Sequence, residues 1–491
     1  MAQHPDPIVQ IAPGRVRGFW RAGSAAFLGV PFAQPPVGER RFGVPVPPEP
    51  WDGVRDAIEY GATAHRRVPG EVTLIPEPTV PGDSTLNVNV FTPRPGERDA
   101  ALPVLVYIHG GGYTAGSPAS PWYDGAAFNR DGVVAVSISY RLGFDGFGYI
   151  AGAPSNRGVR DWLAALEWVR DNITAFGGDP GRVTIAGQSA GGGAVLSLLG
   201  MPAAQGLFHA AWAMSAALAD VSAERARTFS AKLANLAGVP PTRAGFASVA
   251  EEEIVALQRV AASSDSKDRL AGLRTLLDEG LSWGPMIDGD LIPRPTVESL
   301  RVGVGAEIPL VIGSTDDEFT MLTDGAKNVL RVIPAALALG RLDVAPATVK
   351  AYLAANGPQR RKGTAAVLGR YATDVIFRSL VPRVAEARAD AATWVYRFEW
   401  PSPVKGWACH CLDVPFWFDC LDFDGVAALT GDHPPRALAA ALHGSAAAFM
   451  RDGRPGWTPW SSVAGTTRAF GGEASRPDVV ADGYASVRAL V

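Results

Sequence analysis

Val183-Thr184-Ile185-Ala186-Gly187-Gln188-Ser189-Ala190-Gly191-Gly192-Gly193 is the stretch whose reading decides the fold. Its opening residues are apolar and β-branched, the material of a buried strand. They run straight into Gly187-Gln188-Ser189-Ala190-Gly191, a G-x-S-x-G, and Ala194-Val195-Leu196-Ser197-Leu198-Leu199 then reads as a helix closed by Gly200 and Pro202. Strand, tight turn and helix form the context of a nucleophile elbow. The flanking glycines lack a Cβ, so the chain can turn sharply and hold Ser189 in a strained backbone geometry. In a chain with 55 glycines the bare motif is also compatible with a simple turn. The weight falls on the flanking elements and on the serine's partners.

Working outward, Pro103-Val104-Leu105-Val106-Tyr107-Ile108 is a continuous apolar run, the pattern of a strand covered on both faces, and it ends in His109-Gly110-Gly111-Gly112-Tyr113. Residues 133–140 read the same way. Trp162, Leu166, Val169, Ile173 and Phe176 then recur at helical spacing up to a Gly177-Gly178 stop. Further strands are expected at 88–91, 308–312 and 394–398, and short strands and turns across 8–60. This strand–helix rhythm predicts an α/β fold, a mostly parallel sheet with helices on both faces. Helical, charged blocks near 222–278 and 324–390 sit between core strands, where caps over a site are inserted. No repeat or low-complexity linker interrupts the chain, which reads as one domain over 1–491.

Composition excludes several classes. The chain has 491 residues, 47% hydrophobic, a net charge of −4 and no outstanding block of like charge. Nucleic-acid and anionic-membrane partners are therefore not expected. No apolar run approaches the ~18–20 residues of a membrane span, and the N-terminus lacks the basic and apolar regions of a secretory signal. Only Cys409, Cys411 and Cys420 are present. An odd, clustered set is a poor disulfide framework, and adjacent residues such as Cys409, His410 and Cys411 do not converge on one ion in an extended segment. Free thiols in a reducing compartment and no metal are expected.

A serine hydroxyl needs a base to take its proton and an acid to orient that base. The chain offers seven histidines. His4 is terminal, His65 and His209 lie in surface-type segments, His109 precedes the glycine triplet, and His433 and His443 flank a C-terminal helix. His410 follows strand 394–398, late in the chain, where the Ser…acid…His order puts the base. A histidine among aromatic residues is more often a packed core residue, so position alone leaves the matter open. For the acid, Asp316, Asp317 and Glu318 are equally available.

Several motifs in order make the chain resemble the type-B carboxylesterases, the α/β-hydrolase group that includes cholinesterases and bacterial para-nitrobenzyl esterases. They are Phe27-Leu28-Gly29-Val30-Pro31-Phe32-Ala33, Pro35-Pro36-Val37-Gly38-Glu39-Arg40-Arg41-Phe42, Ser139-Tyr140-Arg141-Leu142-Gly143, Ala175-Phe176-Gly177-Gly178-Asp179-Pro180, the serine motif with Gln188 where the family usually has glutamate, Asp317-Glu318-Phe319, and His410 through Phe416. The resemblance implies an α/β-hydrolase fold and Ser189 as nucleophile, His410 as base, and Glu318 as orienting acid. It also implies an oxyanion hole from the N–H groups of Gly111, Gly112 and Ala190. It further implies ion pairs Arg41–Asp83 and Arg141–Asp161. The implied reaction is hydrolysis of a small-molecule carboxylic ester without a cofactor. From its cysteines the enzyme is expected to be cytoplasmic, and a monomer or weak homo-oligomer is expected. Tyr113, Phe319, Trp407 and Phe416 flank the motifs and are candidate pocket residues.

Two departures bear on this. Thr85 replaces the cysteine of the family's E-D-C-L motif, which suits an intracellular enzyme, and the 65–82 loop has no Trp, Tyr or Phe, which argues against choline esters. Competing readings are a non-catalytic interaction module, disfavoured because all three triad positions are filled, and the same machinery acting on carbamates or amides. Ser264-Asp265-Ser266-Lys267 is an isolated S-x-x-K in a polar stretch without an S-D-N companion.

Overall fold

Apolar runs without polar alternation become strands buried on both faces. The computed structural model describes residues 5–21, 23–66, 73–262, 271–472 and 478–491, and statements about what is present refer to these. Their main sheet has eleven strands: β1 (Phe19–Arg21), β2 (Ser24–Pro31), β3 (Asn87–Thr92), β4 (Leu102–Ile108), β5 (Val134–Ile138), β6 (Gly178–Gln188), β7 (Ala210–Met214), β8 (Leu310–Thr315), β9 (Thr393–Phe398), β10 (Thr467–Phe470) and β11 (Val479–Val480). The spatial order is β11-β10-β9-β8-β7-β6-β4-β5-β3-β2-β1. The run from β10 to β5 is parallel. Antiparallel strands close both edges. This is the mostly parallel sheet expected from the strand–helix rhythm, in the α/β-hydrolase arrangement that the resemblance implies.

Period-2 geometry sends alternate residues of each strand to opposite faces. Val104, Val106, Ile108, Ile185, Ala213 and Ile312 form one layer with Trp162 and Leu166 of α1 (Arg157–Asn172) and Val195 and Leu198 of α2 (Ala190–Leu199). Leu105, Tyr107, Ala186, Trp212 and Val311 point the other way, onto Leu442 and Phe449 of the helix Arg436–Asp452. Helix α1 passes into a tighter turn, Ile173–Phe176, and stops where Gly177 adopts φ 81°. That is the stop read from Gly177-Gly178.

The stretches between β7 and β8 and between β8 and β9 both hold helices. Helices Ala223–Ala237, Glu251–Ala262 and Ala271–Glu279 lie between β7 and β8, and the second block, from Thr320 to Ala387, lies between β8 and β9. One implied ion pair is corrected. Arg41 bonds Asp145, not Asp83, at 2.7 and 3.2 Å and also donates to Val249 O, while Asp83 is exposed. A partly buried arginine is satisfied by the carboxylate that shares its buried site. The Arg141–Asp161 pair is present, at 2.6 and 2.9 Å, fully inside the protein. The S-x-x-K at 264–267 lies outside the described residues, as does 67–72 of the 65–82 loop. No helix among the described residues is long and apolar enough to cross a membrane.

Candidate active site

Strand β6 ends at Gln188 and α2 begins at Ala190, so Ser189 alone makes the turn, with φ 59° and ψ −124°. Positive φ on a non-glycine residue is strained and persists only where its surroundings hold it. Here they do: Ser189 N–H donates to Met214 O at 3.0 Å, and Ser189 O accepts from Gly193 N–H at 2.9 Å and Ala217 N–H at 3.0 Å. The sequence reading placed the turning freedom in the flanking glycines, but Gly187 and Gly191 have ordinary φ. Their role is close approach. A Cβ on Gly187 would meet the Gly191 backbone at 2.5 Å, and one on Gly191 would meet Ile108 O at 2.0 Å. Helix α2 can therefore press against β4 and β6, and the strain is carried by the serine.

Glu318, the acid that the resemblance implies, stands three residues beyond β8. Glu318 Oε1 accepts the Thr315 N–H at 2.9 Å, and Oε2 accepts the His410 Nδ1–H at 2.5 Å. The backbone locks the same pairing, His410 N–H donating to Glu318 O at 3.0 Å. Of the three neighbouring carboxylates, the other two have arginine partners. Asp316 accepts two bonds from Arg397, at 2.9 and 2.6 Å, with Arg378 at 3.7 Å. Burial would raise its pKa, but Arg397, Arg378 and Arg370 outweigh burial and hold it well below the usual range. Asp317 faces Arg370 at 3.4 Å, where burial wins and its pKa is raised. The geometry thus separates three residues that sequence left equivalent.

With Nδ1–H committed to Glu318, neutral His410 presents a lone pair at Nε2. That atom lies 3.2 Å from the Gln188 side-chain nitrogen, and Gln188 Oε1 in turn accepts from the Cys411 thiol at 3.5 Å. Ser189 Oγ makes no hydrogen bond among the described residues, although Ser189 and His410 line one cavity. The Gln188 amide lies against the lone pair that a serine proton would need. Catalytic hydrogen bonds often tighten only when substrate arrives.

Burial pushes His410 down, but the Cys411 sulfur and the Glu318 carboxylate beside the ring outweigh burial, raising its pKa well above 6.5. Only the neutral ring can accept a proton, so a raised pKa moves the acid limb of activity to higher pH. The sequence alone suggests a limb between about pH 6 and 7.5. With His410 as the base, the raised ring pKa leads to an expected midpoint of kcat/KM above 6.5. A profile with its midpoint below about 6, with chemistry rate-limiting, would contradict this ordering of effects.

Across from the serine, the His109–Tyr113 loop exposes backbone donors. Gly111 has φ 111° and Gly112 φ 62°, and a Cβ on Gly111 would lie 2.2 Å from Ala115 O. The N–H groups of Gly111, Gly112 and Ala190 donate to no acceptor among the described residues. His109 braces this loop: its ring stacks on Tyr140 at 4.5 Å, Nδ1–H donates to Gly110 O at 2.8 Å, and burial lowers its pKa to about 4. It is a neutral support.

These groups open on a cavity of about 430 Å³. Leu74, Ile75, Leu276, Leu281, Ile376, Phe319, Phe377 and Tyr123 supply its apolar wall, and Thr73, Thr114, Glu77 and Cys411 its polar one. Of the four candidate pocket residues only Phe319 lies there, its ring 5.4 Å from that of His410. Tyr113 is fully buried against Phe147 and Trp162, its hydroxyl donating to Ala217 O. Phe416 is buried against Phe398 and Trp400. Trp407 lies away from the cavity, its Nε1–H donating to Asp324 at 2.8 Å. Proximity to a motif did not put these rings on the wall, because alternate residues of a turn point into the core. Part of the wall, Leu276, Ile376 and Phe377, comes from the cap blocks, where helical spacing carries no mark of which side meets a ligand. Cys409, Cys411 and Cys420 are buried and unbridged.

With the site described, relatives can be placed. Residues 5–470 match the carboxylesterase family. The chain is 34% identical to a para-nitrobenzyl esterase of Bacillus subtilis over 84% of its own length and 83% of the relative's. It is 33% identical to a phenmedipham hydrolase of Pseudarthrobacter oxydans over 91% of its length and 90% of the relative's. Its fold superposes on the carboxylesterase EST55 of Geobacillus stearothermophilus with a TM-score of 0.83 at 32% identity, covering 98% and 99% of the two chains. The chain belongs to the carboxylesterase family, and it is an enzyme that hydrolyses esters.

Proposed function

We propose that the enzyme cleaves short-chain and aromatic carboxylic esters through an acyl-enzyme formed on Ser189. The observation that carries this reading is the shared cavity, where a serine held at positive φ meets a histidine hydrogen-bonded to a buried carboxylate. Ser189 Oγ attacks the ester carbonyl as its proton passes to His410 Nε2, displacing the Gln188 amide. The negative oxygen of the tetrahedral intermediate is met by the N–H groups of Gly111, Gly112 and Ala190, which have no other acceptor among the described residues. In other hydrolases one such donor is worth about 10²–10³ in kcat. The His410 imidazolium, stabilised by Glu318, then gives its proton to the departing alcohol. Water repeats the sequence on the acyl-enzyme and frees the acid. The chain acts as one catalytic unit in a reducing compartment, a reading supported by its three unbridged thiols and by Thr85.

Substrate range follows from the wall. Aliphatic and aromatic side chains favour uncharged groups, and no tryptophan lines the cavity among the described residues to meet a quaternary ammonium. The space suits a small ester rather than a long acyl chain. The test is kcat/KM at one pH for para-nitrophenyl butyrate, butyrylthiocholine and a long-chain triglyceride, expected to fall in that order. A carbamate and an anilide belong in the same panel. Preference for the choline ester would overturn this account of the wall, and preference for the carbamate or anilide would replace the ester reading.

A further inference from the structure

The second cap block carries a surface that ester hydrolysis in solution does not use. Singly scattered apolar residues on a surface are ordinary. Here Leu322 (68% exposed), Val329 (70%), Val332 (79%) and Leu337 (53%) fall close together in one block. Their neighbours Leu330 and Ile333 turn inward onto a small core containing Leu339, Tyr352 and Val367, so the segment is folded with these four left outside.

Charge is gathered in the same stretch of chain. Between Thr320 and Gly363 stand seven basic residues and two acidic ones, in a chain whose net charge is −4. Lys327, Arg331, Arg360, Arg361 and Lys362 are exposed, and none forms an ion pair among the described residues. Two hydrogen bonds tie the apolar and basic stretches together. Thr364 Oγ1–H donates to Ile333 O at 2.6 Å, beside Val332 and Lys362, and Thr323 Oγ1–H donates to Ala365 O at 2.8 Å, beside Leu322. The face also borders the substrate cavity. Phe319, on the cavity wall, immediately precedes it, and Leu277 packs on its small core while the adjacent Leu276 lines the cavity.

Exposed apolar tips set among cations with no carboxylate partner among the described residues suit a surface that is anionic outside and apolar beneath. We propose that the face formed by Leu322, Val329, Val332 and Leu337 with the surrounding Lys and Arg docks the enzyme on an anionic lipid surface. Overall charge argued against such a partner, because the excess of acidic groups elsewhere masks a local basic face. Docking there would bring esters dissolved in the lipid close to the cavity wall.

Vesicle flotation tests this directly. The full-length enzyme is mixed with vesicles of equal parts phosphatidylcholine and phosphatidylglycerol, or of phosphatidylcholine alone, at about 20 mM and about 500 mM salt. It should float with the anionic vesicles at low salt, and neither with the zwitterionic ones nor at high salt. Each cation near such a surface is worth roughly fivefold in binding. The triple variant Lys327→Glu, Arg331→Glu, Arg361→Glu should therefore bind at least about 100-fold more weakly. Val329→Asp with Val332→Asp, which leaves the cations in place, should also weaken binding. Both variants change exposed side chains, so hydrolysis of para-nitrophenyl butyrate without vesicles should be unchanged and serves as the folding control. Absence of flotation at low salt would overturn the proposal, as would equal binding to zwitterionic vesicles or undiminished binding by active variants.

Discussion

Ser189→Ala is expected to lower kcat for para-nitrophenyl butyrate by about 10⁶, on the scale of nucleophile removal in other triads. The fold should survive. The Ser189 hydroxyl makes no hydrogen bond among the described residues, so its loss leaves no buried partner unsatisfied. The strained backbone is held through Ser189 N–H and Ser189 O, which alanine keeps. Alanine also has the same Cβ, so it adds no clash at φ 59°. Thermal unfolding should therefore show a Tm close to that of the parent. Residual hydrolysis should still exceed that of water, because the oxyanion donors and the cavity remain. An organophosphate should add a single adduct on the parent enzyme, mapped by peptide mass to Ser189, and none on the variant. Undiminished turnover, or labelling at another serine, would remove Ser189 from its role.

Much of this site was legible because its parts are local. Val183–Gly193 contains strand, turn and helix in consecutive residues, and the apolar runs of β4 and β6 needed nothing distant to be recognised. The histidine was harder, since His410 meets Glu318 across 92 positions and only the family resemblance singled out that carboxylate. Asp316 and Asp317 face arginines while Glu318 meets His410 because of where Arg370, Arg378 and Arg397 come to lie, and no spacing rule encodes that. The pocket wall was least legible. Tyr113 and Phe416 adjoin the motifs but pack inward, whereas Ile376, Phe377 and Leu276 arrive from cap helices far along the chain. Aromatic content predicts burial, and which side of a turn is buried is settled only by tertiary packing.

Glu318→Gln should lower kcat by about 10³–10⁴, the loss seen when a triad carboxylate becomes an amide. The carboxylate has two acceptor oxygens, one taken by Thr315 N–H and the other by His410 Nδ1–H. An amide has only one. If that oxygen keeps the Thr315 N–H, the new NH₂ faces Nδ1, which must then accept. The proton of the neutral ring moves to Nε2, the atom that has to take the serine proton, and the base is held in the wrong tautomer. The opposite rotamer leaves Thr315 N–H facing a second donor inside the protein, which costs about 1–3 kcal/mol. Loss of the negative charge also removes one of the effects that raise His410, so the acid limb of whatever activity remains should move to lower pH. The comparison that isolates this is Asp316→Asn, two residues away. It strips the charge that Arg397 and Arg378 face inside the protein, so its cost should fall mainly on Tm, with kcat much less affected than in Glu318→Gln. If Asp316→Asn were the variant with crippled kcat and a shifted limb, and Glu318→Gln merely unstable, the carboxylate that orients His410 would have been misassigned.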